Sequence, residues 1–142
     1  MPLSEKEGIG QIVWSPIAQG ILTGKYLPGE KSPSGSRATD KKGGANMIKG
    51  FMTEPILTAV QKLIPIAAKV DLTPAQLAIA WVLQNPNVSS AIIGATKPSQ
   101  IKENVKASGV KLDQGIMAEI DAVLSGVVVT DPGKTLSPKP RA

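Results

Sequence analysis

Only two stretches of this 142-residue chain read as β-strand, and more than half of its length separates them. The first covers residues 9–14, Ile-Gly-Gln-Ile-Val-Trp. It is a short buried strand that stops at Ser15-Pro16, where proline removes a ladder donor. The second is Ser89-Ser90-Ala91-Ile92-Ile93-Gly94, short and apolar on both faces, as suits a parallel strand covered by helices. Helical patterns fill much of the rest, so the class is α/β. Two short strands make no closed sheet and leave unpaired edges. The expected architecture is therefore part of a larger parallel sheet, with the chain forming one domain around a modest core.

The helices announce themselves by spacing and by caps. Ile56, Val60, Leu63, Ala67 and Val70 recur in steps of three and four, predicting an amphipathic helix over 54–70 that Pro65 bends or interrupts. Asp71 follows, at a helix end that favours a left-handed residue. Thr73-Pro74-Ala75-Gln76 combines a cap, a proline at the first helical position and a glutamine spaced for a capping box. That helix ends at Asn85-Pro86. Pro98 opens another, 98–108, with Ile101 and Val105 expected inward. Asp113 caps a last one, 114–125, striped by Ile116, Ile120, Val123 and Leu124. Residues 27–50 read as a long loop, and 126–142 as a loosely held basic, proline-rich tail.

Composition excludes several chemistries. There is no cysteine and no histidine, so thiolate or imidazole metal sites, cysteine nucleophiles and Ser-His-Asp triads are ruled out. No catalytic residue and no metal ligand set is assigned. Residues 27–50 carry five basic and two acidic side chains, and 126–142 carry three and one, which together account for the net charge of +5. A basic loop and tail can attract phosphate, yet no nucleic-acid motif accompanies them, and no nucleic-acid partner is expected. Aromatics are only 3% of the chain, too few for a base-stacking platform. No apolar run approaches the roughly 20 residues of a membrane helix. No signal-peptide pattern opens the chain, so no membrane is expected and the expected compartment is the cytoplasm.

The stretch richest in chemistry is Ile93-Gly94-Ala95-Thr96-Lys97-Pro98-Ser99-Gln100, where a strand passes through small residues into a helix. A helix start offers free N–H groups and partial positive charge, an anion cradle. Gly94 lets backbone approach a ligand, Thr96 adds a hydroxyl and Lys97 a charge. Glu103 and Asn104 share a helix side with Gln100. An ordinary strand-to-helix turn with a solvated surface trio would look the same. Ser15, Gln19, Gly20 and Lys25 follow the first strand. Ligands of α/β folds bind at the C-terminal ends of parallel strands, and both segments leave from such ends.

These residues resemble the aldo-keto reductases, in particular the general-stress and potassium-channel β-subunit-like group. Residues 14–26, Trp-Ser-Pro-Ile-Ala-Gln-Gly-Ile-Leu-Thr-Gly-Lys-Tyr, are similar to that family's seventh-strand segment. Ser36-Arg37-Ala38 resembles the loop that folds over its cofactor, and residues 77–83 its next helix. Ser89–Gly94 resembles strand eight, and Gly94-Ala95-Thr96 with Gln100, Glu103 and Asn104 its adenosine signature. The resemblance runs from about Gly8 to Leu124. It implies the C-terminal portion of a (β/α)8 TIM barrel, strands seven and eight with their helices. Residues 1–125 would be the partial barrel, 27–50 its cofactor-side loop and 126–142 a tail.

The resemblance implies NADP(H) as cofactor. Ser15, Pro16, Ile17, Gln19 and Gly20 would lie along its pyrophosphate and ribose. Lys25 and Arg37 would clamp phosphate. Gly94, Thr96 and Gln100 would meet the 2′-phosphate, and Glu103 and Asn104 the adenine. The family's catalytic Asp, Tyr, Lys and His belong to earlier strands with no counterpart here. The expectation is the NADP(H)-binding part of an enzyme that reduces aldehydes and ketones, as a truncated or split piece inactive alone. A carbonyl substrate is expected only in a complete barrel. The alternative is a stand-alone, non-catalytic nucleotide-binding or interaction module. Either way, exposed strands predict self-association, pairing with an N-terminal barrel fragment, or a partly molten state.

Overall fold

The computed structural model describes residues 2–129. Helix α1 spans Pro2–Lys6 and strand β1 spans Gln11–Trp14. A kinked 3-10 segment, Ala18–Thr23, follows. Helices α2 (Gly44–Ile48), α3 (Glu54–Lys69) and α4 (Pro74–Leu83) lead to β2 (Val88–Ile92). Helices α5 (Pro98–Asn104) and α6 (Gln114–Leu124) complete the order. The strands pair in parallel, with Ile12 opposite Ser90, Val13 opposite Ala91 and Trp14 opposite Ile92. A parallel pair needs a crossover, and the segment carrying α2 to α4 supplies it.

The caps fall where the local chemistry puts them. Thr73 Oγ1 accepts from Gln76 N, and Gln76 Oε1 accepts from Thr73 N, closing the box. Asp113 Oδ1 accepts from Ile116 N. Asp71 stands at φ 55°, in the left-handed region the helix end requires. One core cluster joins α3, α4 and α6 through Leu63, Ile66, Leu77, Ile79, Ile116 and Ile120. A second, around Ile21, Tyr26, Ile48, Leu57 and Val60, packs the segment after β1 onto α3. Each fully buried aliphatic side chain contributes about 1.5–3 kcal/mol.

Several expectations are corrected. The strands are not buried on both faces: Ile12 is 67% exposed, Trp14 73% and Ile92 57%. The alternate residues Val13 and Ala91 are half-buried, on the side where α4 packs. Pro65 does not interrupt α3, which is assigned as one helix through it. Pro65 is exposed, so the Gln61 carbonyl that loses its helical donor lies on the solvent side. Residues 27–50 are not all loop, because α2 forms there and buries Ile48. Ile101 and Val105 do not point inward and are 54% and 59% exposed. The predicted helix 98–108 ends at Asn104 and tightens into a 3-10 turn, Val105–Ala107, with Ala107 buried in their place. Residues 130–142, most of the expected tail, lie outside the described residues.

Candidate functional site

Because β1 and β2 run parallel with Trp14 opposite Ile92, the chain leaves both strands at the same end of the sheet. Ser15–Gly20 and Gly94–Gln100 therefore start side by side, from strands that pair at about 4.8 Å spacing.

The first segment is tightly folded. Ser15, Ala18 and Gln19 have φ of 55°, 45° and 59°, and Gly20 continues at 98°. Non-glycine residues in this region cost of order 1–3 kcal/mol each and persist only where surroundings fix them. Here the fixing groups are visible. Ala18 N donates to Ser15 O and Gly20 N to Ile17 O, both at 2.9 Å. Thr23 Oγ1 donates to Gly20 O at 2.7 Å, and Gln19 Nε2 donates to Ser15 Oγ. Pro16 is buried and Ile17 half-buried against the larger core cluster.

Two cations converge on this bend. Arg37 Nη1 donates to Gln19 Oε1 at 2.6 Å and reaches Met47 Sδ at 3.6 Å. Lys25 lies over the Tyr26 ring, its Nζ 5.1 Å from the centroid. A Cβ at Gly20 would stand 3.6 Å from that Nζ, so glycine keeps the space before the ammonium open. Behind Lys25, Gln61 Nε2 of α3 donates to Gly24 O and Tyr26 O. Sequence reading missed Gln61, which belongs to no motif and acts from 35 residues away, and gave Thr23, within the 14–26 segment, no role of its own.

The second segment differs from the open cradle expected. Gln100 Oε1 accepts from Thr96 N at 2.7 Å, Lys97 N at 3.2 Å and Thr96 Oγ1 at 3.2 Å. The amides just ahead of the helix are thus turned onto a side-chain oxygen of its first turn. Gly94 has open space where a Cβ would be. Glu103 is exposed and ion-paired with Lys106 at 2.9 Å, a contact of little energy at a surface. Asn104 does not share the exposed face of Gln100 and Glu103, since it is buried. A groove of about 570 Å³ opens beside Ser15 and Pro16, but Val13, Leu22, Trp81 and Met117 line it, an apolar wall with no cation.

The family model of the aldo/keto reductases matches residues 1–125. The chain belongs to the aldo/keto reductase family. It is 49% identical over 107 residues to a probable voltage-gated potassium channel subunit beta of Arabidopsis thaliana, covering 75% of this chain and 32% of that one. It is 44% identical over 128 residues to a putative subunit of the same description from Schizosaccharomyces pombe, covering 88% and 37%. Protein tas of Escherichia coli is 36% identical over 121 residues, covering 85% and 34%. The chain spans about a third of the length of these relatives. Among solved structures, a glycerol dehydrogenase of Gluconobacter oxydans superposes with a TM-score of 0.69 at 25% identity. That match covers 96% of this chain and 40% of the dehydrogenase. The α/β fold of this aldo/keto reductase chain is thus similar to part of that enzyme. Among the described residues no single helix is long and apolar enough to cross a membrane.

Proposed function

We propose that this chain is the NADP(H)-binding part of an aldo/keto reductase, comprising strands seven and eight of the barrel with their helices. The observation that carries the reading is the shared sheet end. There a strained bend with two cations, Lys25 and Arg37, stands beside the donor-rich turn at Thr96 and Lys97. The residues suit a dinucleotide: a glycine-opened space before an ammonium, a guanidinium on the same bend and, across the strand gap, amide and hydroxyl donors that would exchange Gln100 Oε1 for a phosphate. Ser15, Pro16, Ile17, Gln19 and Gly20 would line the pyrophosphate and ribose, with Lys25 and Arg37 on phosphate. Gly94, Thr96 and Gln100 would take the 2′-phosphate, and Glu103 the adenine. Asn104 would act from beneath, as a buried support.

When bound, the cofactor supplies the hydride for carbonyl reduction. The proton would come from the earlier strands of a complete barrel; in this chain there is no histidine, and its single tyrosine, Tyr26, is buried. The expected setting is cytoplasmic, with an aldehyde or ketone as substrate of a complete barrel. Residues 1–125 would act as the barrel part and 126–142 as an appended tail. The lack of histidine also favours a second reading, a non-catalytic nucleotide-binding module.

Calorimetric titration with NADPH and NADH tests the proposal. NADPH should bind, and more tightly than NADH. No binding of either defeats it. Alone, the chain should not oxidise NADPH with any aldehyde above background, and sustained turnover would remove the division of labour assumed here.

A further inference from the structure

We propose that Met47 is an oxidation site, and that its sulfoxide draws the Arg37 guanidinium away from Gln19. Met47 is 53% exposed, on the short helix α2. Met52 and Met117, the other described methionines, are half-buried against the two core clusters. A peroxide must reach sulfur to oxidise it, so Met47 is the thioether presented to it. What separates Met47 from an ordinary exposed methionine is the cation beside its sulfur. Arg37 Nη1 donates to Gln19 Oε1 at 2.6 Å and to Met47 Sδ at 3.6 Å. The stem of Arg37 lies along α2, since a Cβ on Gly44, three residues before Met47, would stand 3.1 Å from Arg37 Cγ.

Asp40 does not hold the guanidinium. Its Oδ1 accepts from Lys42 N and its Oδ2 from Gly44 N, at the start of α2. Among the described residues no carboxylate pairs with Arg37. Two neutral acceptors therefore decide where the guanidinium sits, and they are unequal, because a thioether sulfur accepts weakly and an amide oxygen well. Oxidation removes that inequality. Hydrogen peroxide transfers one oxygen to the sulfur: its O–O bond breaks, an S–O bond forms, the thioether gives up two electrons and the peroxide leaves as water. The product is a polar group on a flexible side chain, within reach of the same Nη1. The Arg37 stem is already laid along α2, so the guanidinium turns to the sulfoxide oxygen by a small movement. Gln19, held at φ 59°, then loses the donor on its Oε1, and the bend Ser15–Gly20 loosens with it. An effect on nucleotide affinity rests on the NADP(H) reading, whereas the movement of Arg37 does not.

The test treats the chain with dilute hydrogen peroxide, follows each methionine by peptide mass mapping, and measures amide exchange on the product. Met47 should oxidise several-fold faster than Met52 and Met117. Exchange over residues 15–20 and 37–48 should then quicken several-fold, and methionine sulfoxide reductases with dithiothreitol should restore it. Met47→Leu, treated alike, should show no quickening, and it carries any oxidation elsewhere in the chain as a control. In Arg37→Ala, the sulfoxide should add no further loosening. Faster oxidation at Met52 or Met117 overturns the proposal, as does full conversion of Met47 with unchanged exchange. Loosening that persists in oxidised Arg37→Ala overturns it equally, since the oxygen would then act through another group. Calorimetry on the untreated chain separates the two readings. If NADPH does not bind there, the NADP(H) reading fails and exchange still decides the oxidation site. If NADPH binds, its affinity should fall several-fold on oxidation, and unchanged affinity with quickened exchange removes Arg37 from the phosphate while supporting Met47 as the oxidation site.

Discussion

Arg37 and Gln19 are 18 residues apart, and the guanidinium donates to the amide oxygen at 2.6 Å while the same amide's nitrogen donates to Ser15 Oγ. Gln19 thus uses both ends of its side chain. One end fixes the start of the bend after β1, and the other holds the segment from Arg37 to Ile48 against it. Gln19 is itself at positive φ, so the contact also pins a residue in a conformation it would otherwise leave.

Gln19→Ala should release that segment without unfolding the chain. Amide exchange over residues 37–48 should quicken several-fold. The midpoint of thermal unfolding should fall only slightly, since a net hydrogen bond contributes about 0.5–1.5 kcal/mol and the Arg37 contact is exposed. Arg37→Ala should give the same local loosening, and the double variant no more than either single one. Hydrogen–deuterium exchange read by mass spectrometry checks this, and additive effects would show that the two side chains act separately.

Gln100 offers a sharper test, because one substitution should move stability and affinity in opposite directions. Its Oε1 accepts from Thr96 N and Lys97 N. In Gln100→Glu a carboxylate takes that place, and a negative charge at a helix start stabilises by about 0.3–1 kcal/mol. The same charge would oppose a phosphate at these donors. The variant should therefore melt at or slightly above the parent temperature and lose NADPH affinity more than NADH affinity. Gln100→Ala should lose NADPH preference as well, without the gain in stability. Equal losses for both cofactors would take the 2′-phosphate away from this turn.

How much of this was legible in the sequence depends on distance along the chain. Thr73 with Gln76, Asp113 and left-handed Asp71 could be read because cap and helix are neighbours. The shared end of the two strands followed from their parallel character. Ile101 and Val105 were misread for a physical reason: periodicity tells which residues share a face, not whether a layer lies against it. Ile12, Trp14 and Ile92 show the same limit, since their apolarity does not tell that the described residues leave that face of the sheet uncovered. The Gln19–Arg37 contact and the amide-filling role of Gln100 depend on how side chains turn, which spacing does not encode.

Gln76 ties two helices as well as capping one, so its loss should exceed that of the cap. It is buried, with Oε1 accepting from Thr73 N and Nε2 donating to Glu103 O at 2.8 Å. Thr73→Ala should cost about 1 kcal/mol, the usual effect of removing an N-cap. Gln76→Ala leaves the Thr73 amide without its partner and takes one of two donors, the other being Val105 N, from the Glu103 carbonyl, and should cost about 2–3 kcal/mol. Urea unfolding followed by circular dichroism measures both. A smaller loss for Gln76→Ala than for Thr73→Ala would show that the link to α5 contributes nothing.

Tyr26 makes the opposite case, a buried polar group whose removal should do no harm. Its side chain is 1% exposed in the cluster with Ile21, Ile48, Leu57 and Val60, and its hydroxyl has no hydrogen-bond partner. A buried donor left unsatisfied costs about 1–3 kcal/mol, while deleting the oxygen leaves a gap too small to cost as much. Tyr26→Phe should therefore unfold at an equal or higher temperature. The Lys25 ammonium over the ring needs only the aromatic face, so Phe keeps that contact. Tyr26→Ala, by contrast, empties the cluster and should cost about 3–5 kcal/mol, close to the whole stability of a small domain. NADPH affinity should be unchanged in the Phe variant, because the hydroxyl is turned away from solvent. A fall of more than about 1 kcal/mol in Tyr26→Phe would mean that the hydroxyl has a partner in solution, and a selective loss of NADPH binding would mean that this partner is the cofactor.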